Sequence, residues 1–177
     1  AARQHAGVVD AWRTVWGLPL DEPAATTRQL ITSFDGCGVW RNPCAHRGPG
    51  VRTAQSWYHL DQNAAKSPAF VGYQGCLTVW GASGHTGSTV VCPASHKDFA
   101  ANCARGGKAP RGAFVRMAAP GDADYCARTA RQVAPLGAGD LVIWDSRVVH
   151  CSNGAAKGLR PEHVLEARGL PPDARQP

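Results

Sequence analysis

Several features that would mark a specialised chain are missing. No apolar run approaches the length needed to cross a bilayer. The opening residues, AARQHAGVVDAW, lack the apolar core of a signal peptide. A protein without a membrane span, in the cytoplasm, is therefore expected. Charged residues make up only 18% against 44% hydrophobic, the reverse of a disordered chain. There is no internal repeat and no low-complexity tract. No CxxC pair occurs, which argues against a structural zinc site or a thioredoxin-like motif. No RRM-like or zinc-finger-like signature is present, and no nucleic-acid partner is expected.

What is there fits one globular domain with a real core over residues 1–177. Seven cysteines leave at least one unpaired within the chain. Reduced, mostly buried thiols are the default, with a Cys37–Cys44 disulfide as an alternative. Cys37, Cys44 and His46 are too loosely spaced to read as a metal site. The net charge of +6 favours an anionic partner such as a small carboxylate or phosphate. Its densest cluster, Arg105, Lys108, Arg111 and Arg116, sits in a Gly/Pro-rich stretch that reads as a solvated loop. The sequence does not set the oligomeric state.

Val8, Val9, Trp12, Val15 and Trp16 recur near helical spacing, so a helix is expected within residues 1–20, ended by Gly17 and Pro19. Short β-like runs follow. They cover Leu30–Phe34, Gln55–Leu60, Val71–Trp80, Ser88–Cys92, Ala113–Met117, and Leu141–Trp144 continuing through Val148–His150. Gly, Pro, Asn and Asp clusters such as RGPG, GASGHTG and PLGAGD bound them. Two more helices are expected, from Ser95 to Arg105 with Ser95 as N-cap and from Asp122 to Gln132 with Asp122 in the capping position. Many short strands with few helices suggest a mainly β fold, a jelly roll with helical decoration over residues 30–165, followed by a polar tail over 166–177.

The chemistry is concentrated in WYHLDQ. Residues two apart on a strand share a face, so His59 and Asp61 project together. A ring nitrogen and a carboxylate oxygen at that spacing can share one metal ion. His150 closes the run GDLVIWDSRVVH and is the best third ligand. Two histidines and one carboxylate, with other coordination positions open, make the facial triad of non-haem iron(II) oxygenases.

Four blocks, in order, carry a family resemblance. They are SFDG at 33–36, WYHLDQN at 57–63, YQGCLTVWGASGHTGSTVVCPASHK at 73–97 and GDLVIWDSRVVHCS at 139–152. Together they resemble the phytanoyl-CoA dioxygenase-like branch of the iron(II)/2-oxoglutarate-dependent oxygenases. The resemblance implies a double-stranded β-helix with Fe(II) held by His59, Asp61 and His150. It also implies 2-oxoglutarate and O2 as co-substrates, and hydroxylation of a C–H bond in a small organic substrate. Related halogenases lack the carboxylate, so Asp61 favours hydroxylation. The family's carboxylate-binding Arg maps by spacing onto Arg160, whose planar fork suits the task, with Arg168 as alternative. Ser152 resembles the family's hydroxyl contact to co-substrate or substrate. The chain departs from the family after Arg160, where LRPEHVLEARGLPPDARQP is polar and Pro-rich. Either the last strand is short, around His163–Leu165, or the terminus is truncated or divergent.

Other residues have plainer readings. Gln62 points away from Asp61 if the strand persists, and suits a structural role at least as well as a catalytic one. Gln74, on a β-like run, could line the barrel interior beside the cofactors. Trp57 shares a face with His59 and walls the pocket or packs in the core. Trp80 and Trp144 read as core, and His85 as exposed. Two other functions stay open. One is a cupin-like metal dioxygenase without 2-oxoglutarate, although GxxxxxHxH is absent. The other is a non-catalytic jelly-roll binding module.

Overall fold

The computed structural model describes residues 2–21, 36, 38, 54–105, 112–156 and 158–171. The chain divides into two compact units, residues 1–39 and 40–177. In the first, α1 (Ala6–Val15) forms where the apolar periodicity predicts it. Gly17, at φ +63°, ends it, because a left-handed residue lets the last carbonyls be capped. Its N–H donates to Thr14 O, and that of Leu18 donates to Arg13 O at 2.8 Å. The expected strand Leu30–Phe34, most of the SFDG block, and Cys37, Cys44 and His46 lie outside the described residues.

The second unit holds β1 (His59–Leu60), β2 (Tyr73–Leu77), β3 (Ser88–Val91), α2 (Phe99–Ala104) and β4 (Val115–Arg116). It continues with α3 (Asp122–Thr129), β5 (Arg131–Gln132), β6 (Leu141–Asp145), β7 (His150–Asn153) and α4 (Pro161–Ala167). The strands form two antiparallel sheets. One has the order β4-β1-β7-β3-β5, and the other pairs β2 with β6. Leu60, Cys92, Phe99, Cys103, Val115, Cys126 and Val149 make the buried core. Most sit on or beside strands of the larger sheet, with Phe99, Cys103 and Cys126 contributed by α2 and α3.

Three registers position the site. His59 lies opposite His150 where β1 pairs with β7. Val91 also faces His150, from β3. Gln74 faces Trp144 where β2 pairs with β6. The expected continuous run from Leu141 to His150 is in fact two strands in different sheets. A turn separates them, in which the Val148 N–H donates to Asp145 O and the Arg147 N–H to the Asp145 carboxylate, at 2.9 and 2.8 Å. Asp145 is a turn former, so the apolar alternation passes through while the backbone does not.

Other expectations shift. Ordered strand pairing covers only His59–Leu60 of Gln55–Leu60 and Val115–Arg116 of Ala113–Met117. Ser95 is not an N-cap. It lies inside a 3-10 turn, Ser95–Asp98, entered through Ala94 in the left-handed region. Asp122 is the first residue of α3, with Gly121 at the cap; its carboxylate accepts the Ala119 N–H and pairs with Arg105. α3 ends at Thr129, and the chain turns into β5. The strand expected around His163–Leu165 is α4, begun by Pro161, whose fixed φ suits a first helical turn. Trp80 is 61% exposed rather than core.

Candidate metal centre

His59 and His150 come together because they are cross-strand partners, the arrangement in which side chains on one face approach most closely. Their ring centroids are 4.4 Å apart. Asp61 sits just past the end of β1. Its Oδ1 lies 3.5 Å from His59 Nε2 and its Oδ2 3.3 Å from His150 Nε2. One ligand atom from each of the three residues lies within 4.8 Å of the others, so one ion could touch all three.

The backbone decides which ring nitrogens face inward. His59 Nδ1 is 3.2 Å from Trp57 O, and His150 Nδ1 is 2.9 Å from Val148 O. A carbonyl only accepts, so each Nδ1 carries the hydrogen and each Nε2 presents its lone pair to the centre. Two nitrogen lone pairs and a carboxylate then converge on one spot. Such a donor set is self-repelling unless a cation or added protons lie between its members, and it fits a divalent metal of borderline softness. Burial raises the Asp61 pKa. When protons rather than a metal lie between these groups, hydrogen bonds to Asp61 from His150 and His59, together with that from Gln74, outweigh it and hold the carboxyl well below its usual range.

The histidine side chains are 6–7% exposed, whereas that of Asp61 is 30% exposed. The site is thus walled on the imidazole side and open beside the carboxylate. The His59 ring stacks with Trp57 at 4.7 Å and Phe114 at 4.6 Å. Trp57 is locked by its indole N–H, which donates to Ser152 O at 2.7 Å. Trp144 is half-buried rather than a core residue; its ring lies 5.1 Å from that of His150.

The remaining sequence candidates are distributed unevenly. Gln74 reaches the centre, donating from Nε2 to Asp61 Oδ2 at 2.9 Å. Ser152 follows His150 on β7 and faces Thr89 across the ladder. Arg160 stands at the N-cap of α4, 67% exposed, paired with Glu162 at 3.0 Å and beside His163. Arg168 is exposed at the end of the same helix. Neither arginine has a hydrogen bond or ion pair with the triad among those described. Gln62 has the structural role expected. Its Nε2 donates to Ser67 O and Ala69 O, and its Oε1 accepts the Ser146 hydroxyl at 2.7 Å. His85 is exposed, stacked on His163.

Three residues near the centre went unrecognised as site elements. Phe114 looked like strand filler, Trp144 looked like core, and Ser95 looked like a cap. The Ser95 hydroxyl instead accepts the Val149 N–H at 2.8 Å, next to His150. No local pattern signals any of these, because each partner is remote in the chain.

A buried imidazole pair with one accessible carboxylate defines a candidate mononuclear metal centre on an antiparallel β scaffold. The family comparison agrees with it. The model of the phytanoyl-CoA dioxygenase (PhyH) family matches residues 35–157, and the chain belongs to that family of dioxygenase-type enzymes. The matched stretch contains all three triad residues. No curated protein and no solved structure matches the chain. Among the described residues, no helix is long and apolar enough to cross a membrane.

Proposed function

We propose that this protein is an Fe(II)- and 2-oxoglutarate-dependent dioxygenase on a jelly-roll scaffold that hydroxylates a C–H bond of a small organic substrate. The observation that carries this reading is the convergence of His59, Asp61 and His150 in a chain of the PhyH family. When bound, iron(II) with 2-oxoglutarate and O2 supplies oxidising power for C–H cleavage, at the expense of 2-oxoglutarate, which becomes succinate and CO2.

The chain's own residues prepare the site. The Trp57 and Val148 carbonyls fix both imidazoles with Nε2 inward. With a metal bound, Asp61 would be its third protein ligand beside the two imidazoles, and a three-residue set would leave other coordination positions for small molecules. Trp57 and Phe114 cover the His59 ring and exclude water from that side. Arg160 and Ser152 are the proposed contacts to the 2-oxoglutarate carboxylate, with Arg168 as the second candidate. Arg160 serves this role by turning from Glu162, an exposed partner whose hold on it is weak. The basic balance of the chain suits an anionic substrate.

The test is succinate release with Fe(II) and 2-oxoglutarate, for wild type and His150→Ala. Removing a ligand is expected to cut release by about 100-fold or more. Equal release from both would refute the assigned site. A pure protein that takes up no metal would favour a binding module on the same scaffold.

A further inference from the structure

The two sheets meet at the metal centre through one chain of hydrogen bonds. Gln74 on β2 and Trp144 on β6 are cross-strand partners, so their side chains share a face. The Trp144 indole N–H donates to Gln74 Oε1 at 2.9 Å. An indole N–H can only donate, so it selects the carbonyl end of the amide. The NH2 end is thereby turned toward Asp61, where it donates to Oδ2 at 2.9 Å. The His150 ring packs against Trp144 as well. One tryptophan thus touches one ligand directly and another through Gln74.

We infer that Gln74, oriented by Trp144, is a positioning residue that restricts Asp61 to offering the metal one carboxylate oxygen, Oδ1. The inference rests on the metal-centre reading above. A carboxylate free to rotate can close on an ion with both oxygens and consume a coordination position. With Oδ2 held by an NH2 group that can only donate, rotation costs a hydrogen bond to a charged group. The position saved is one that a co-substrate needs. The amide does not touch substrate, and its effect passes through Asp61.

The experiment uses Co(II) alone as the probe, added to the full-length apoprotein. Binding is followed by titration, and coordination number by the intensity of the visible absorption. Gln74→Met keeps the volume and removes both polar ends. It is expected to weaken Co(II) binding about tenfold and to lower the absorption per bound ion, as a second oxygen joins. Trp144→Phe leaves Gln74 present but free to turn, and is expected to shift the spectrum in the same direction by less. A merely structural role would lower thermal stability and leave the spectrum of the bound ion unchanged. Co(II) uptake by wild type with identical spectra in both variants overturns this inference alone. Should Gln74→Met fail to fold, Trp144→Phe decides by the same criterion. No Co(II) uptake by wild type overturns the metal reading and this inference with it.

Discussion

Ser95 is 1% exposed, and its hydroxyl is the acceptor for the backbone N–H of Val149, one residue before His150. Ser95→Ala leaves that buried N–H without its partner. The expected cost is about 1–3 kcal/mol of unfolding free energy, read as a lower denaturant midpoint at unchanged m-value. A midpoint equal to wild type would show that water replaces the hydroxyl. The residue also shows where sequence reading stops. Ser followed by a helical pattern is a good cap signal, and a helix does begin there, but the hydroxyl is used across the fold. Gln62 is structural, as one of its two sequence readings had it, but strand alternation is not the reason, since β1 ends at Leu60; its amide is held by Ser67 O, Ala69 O and the Ser146 hydroxyl. The relay from Trp144 to Asp61 was not legible, since hydrogen-bond direction appears only when both strands are in register.

Among the elements, the β3–β7 ladder has the most to lose from a small change. Gly87, just before β3, has φ +92°, and a Cβ there would lie 2.5 Å from Asn153 O and 2.7 Å from the Gly154 carbonyl carbon. Both are backbone atoms and cannot swing aside. Gly87→Ala is therefore expected to destabilise the protein by more than about 1 kcal/mol, and to loosen the end of β7. Amide hydrogen exchange would report it as faster exchange at Asn153 and Ser152 than in wild type. Unchanged protection there would disprove the close approach. The element types were mostly readable in advance: α1 starts where apolar spacing begins, and Ser88–Val91 is a strand within one residue of the expected run. Failures came where local preference and tertiary pairing disagree. The run expected as a short strand around His163–Leu165 is helix, because Pro161 suits a first helical turn and the Arg160 N–H donates to His163 Nδ1 at 3.2 Å. The alternation from Leu141 to His150 fits one strand, yet the Asp145 turn sends the chain to a second sheet.

At the scale of the whole unit, the two imidazoles stand on strands that are adjacent in the sheet and remote in sequence. That separation is why the triad could be suspected from sequence but its geometry could not. HxD is local, although Asp61 lies just past the end of β1 rather than on it, whereas the third member of the triad depends on which strand neighbours β1. A site assembled only by the β1–β7 pairing exists in the folded chain and not in the unfolded one, so the proposed metal binding predicts that metal and fold are thermodynamically linked. At a free ion concentration about 100 times Kd the gain is about 2.7 kcal/mol. Thermal melts with Co(II) should move upward by several degrees for wild type, return on adding a chelator, and stay put for His150→Ala. A variant that shifts as wild type does would place the ion elsewhere. The His59–His150 register has a kinetic side too. An ion held by all three residues of the proposed site would be captured only after the closing of a long loop, and the rate of its uptake during refolding would then be a clock for that closure.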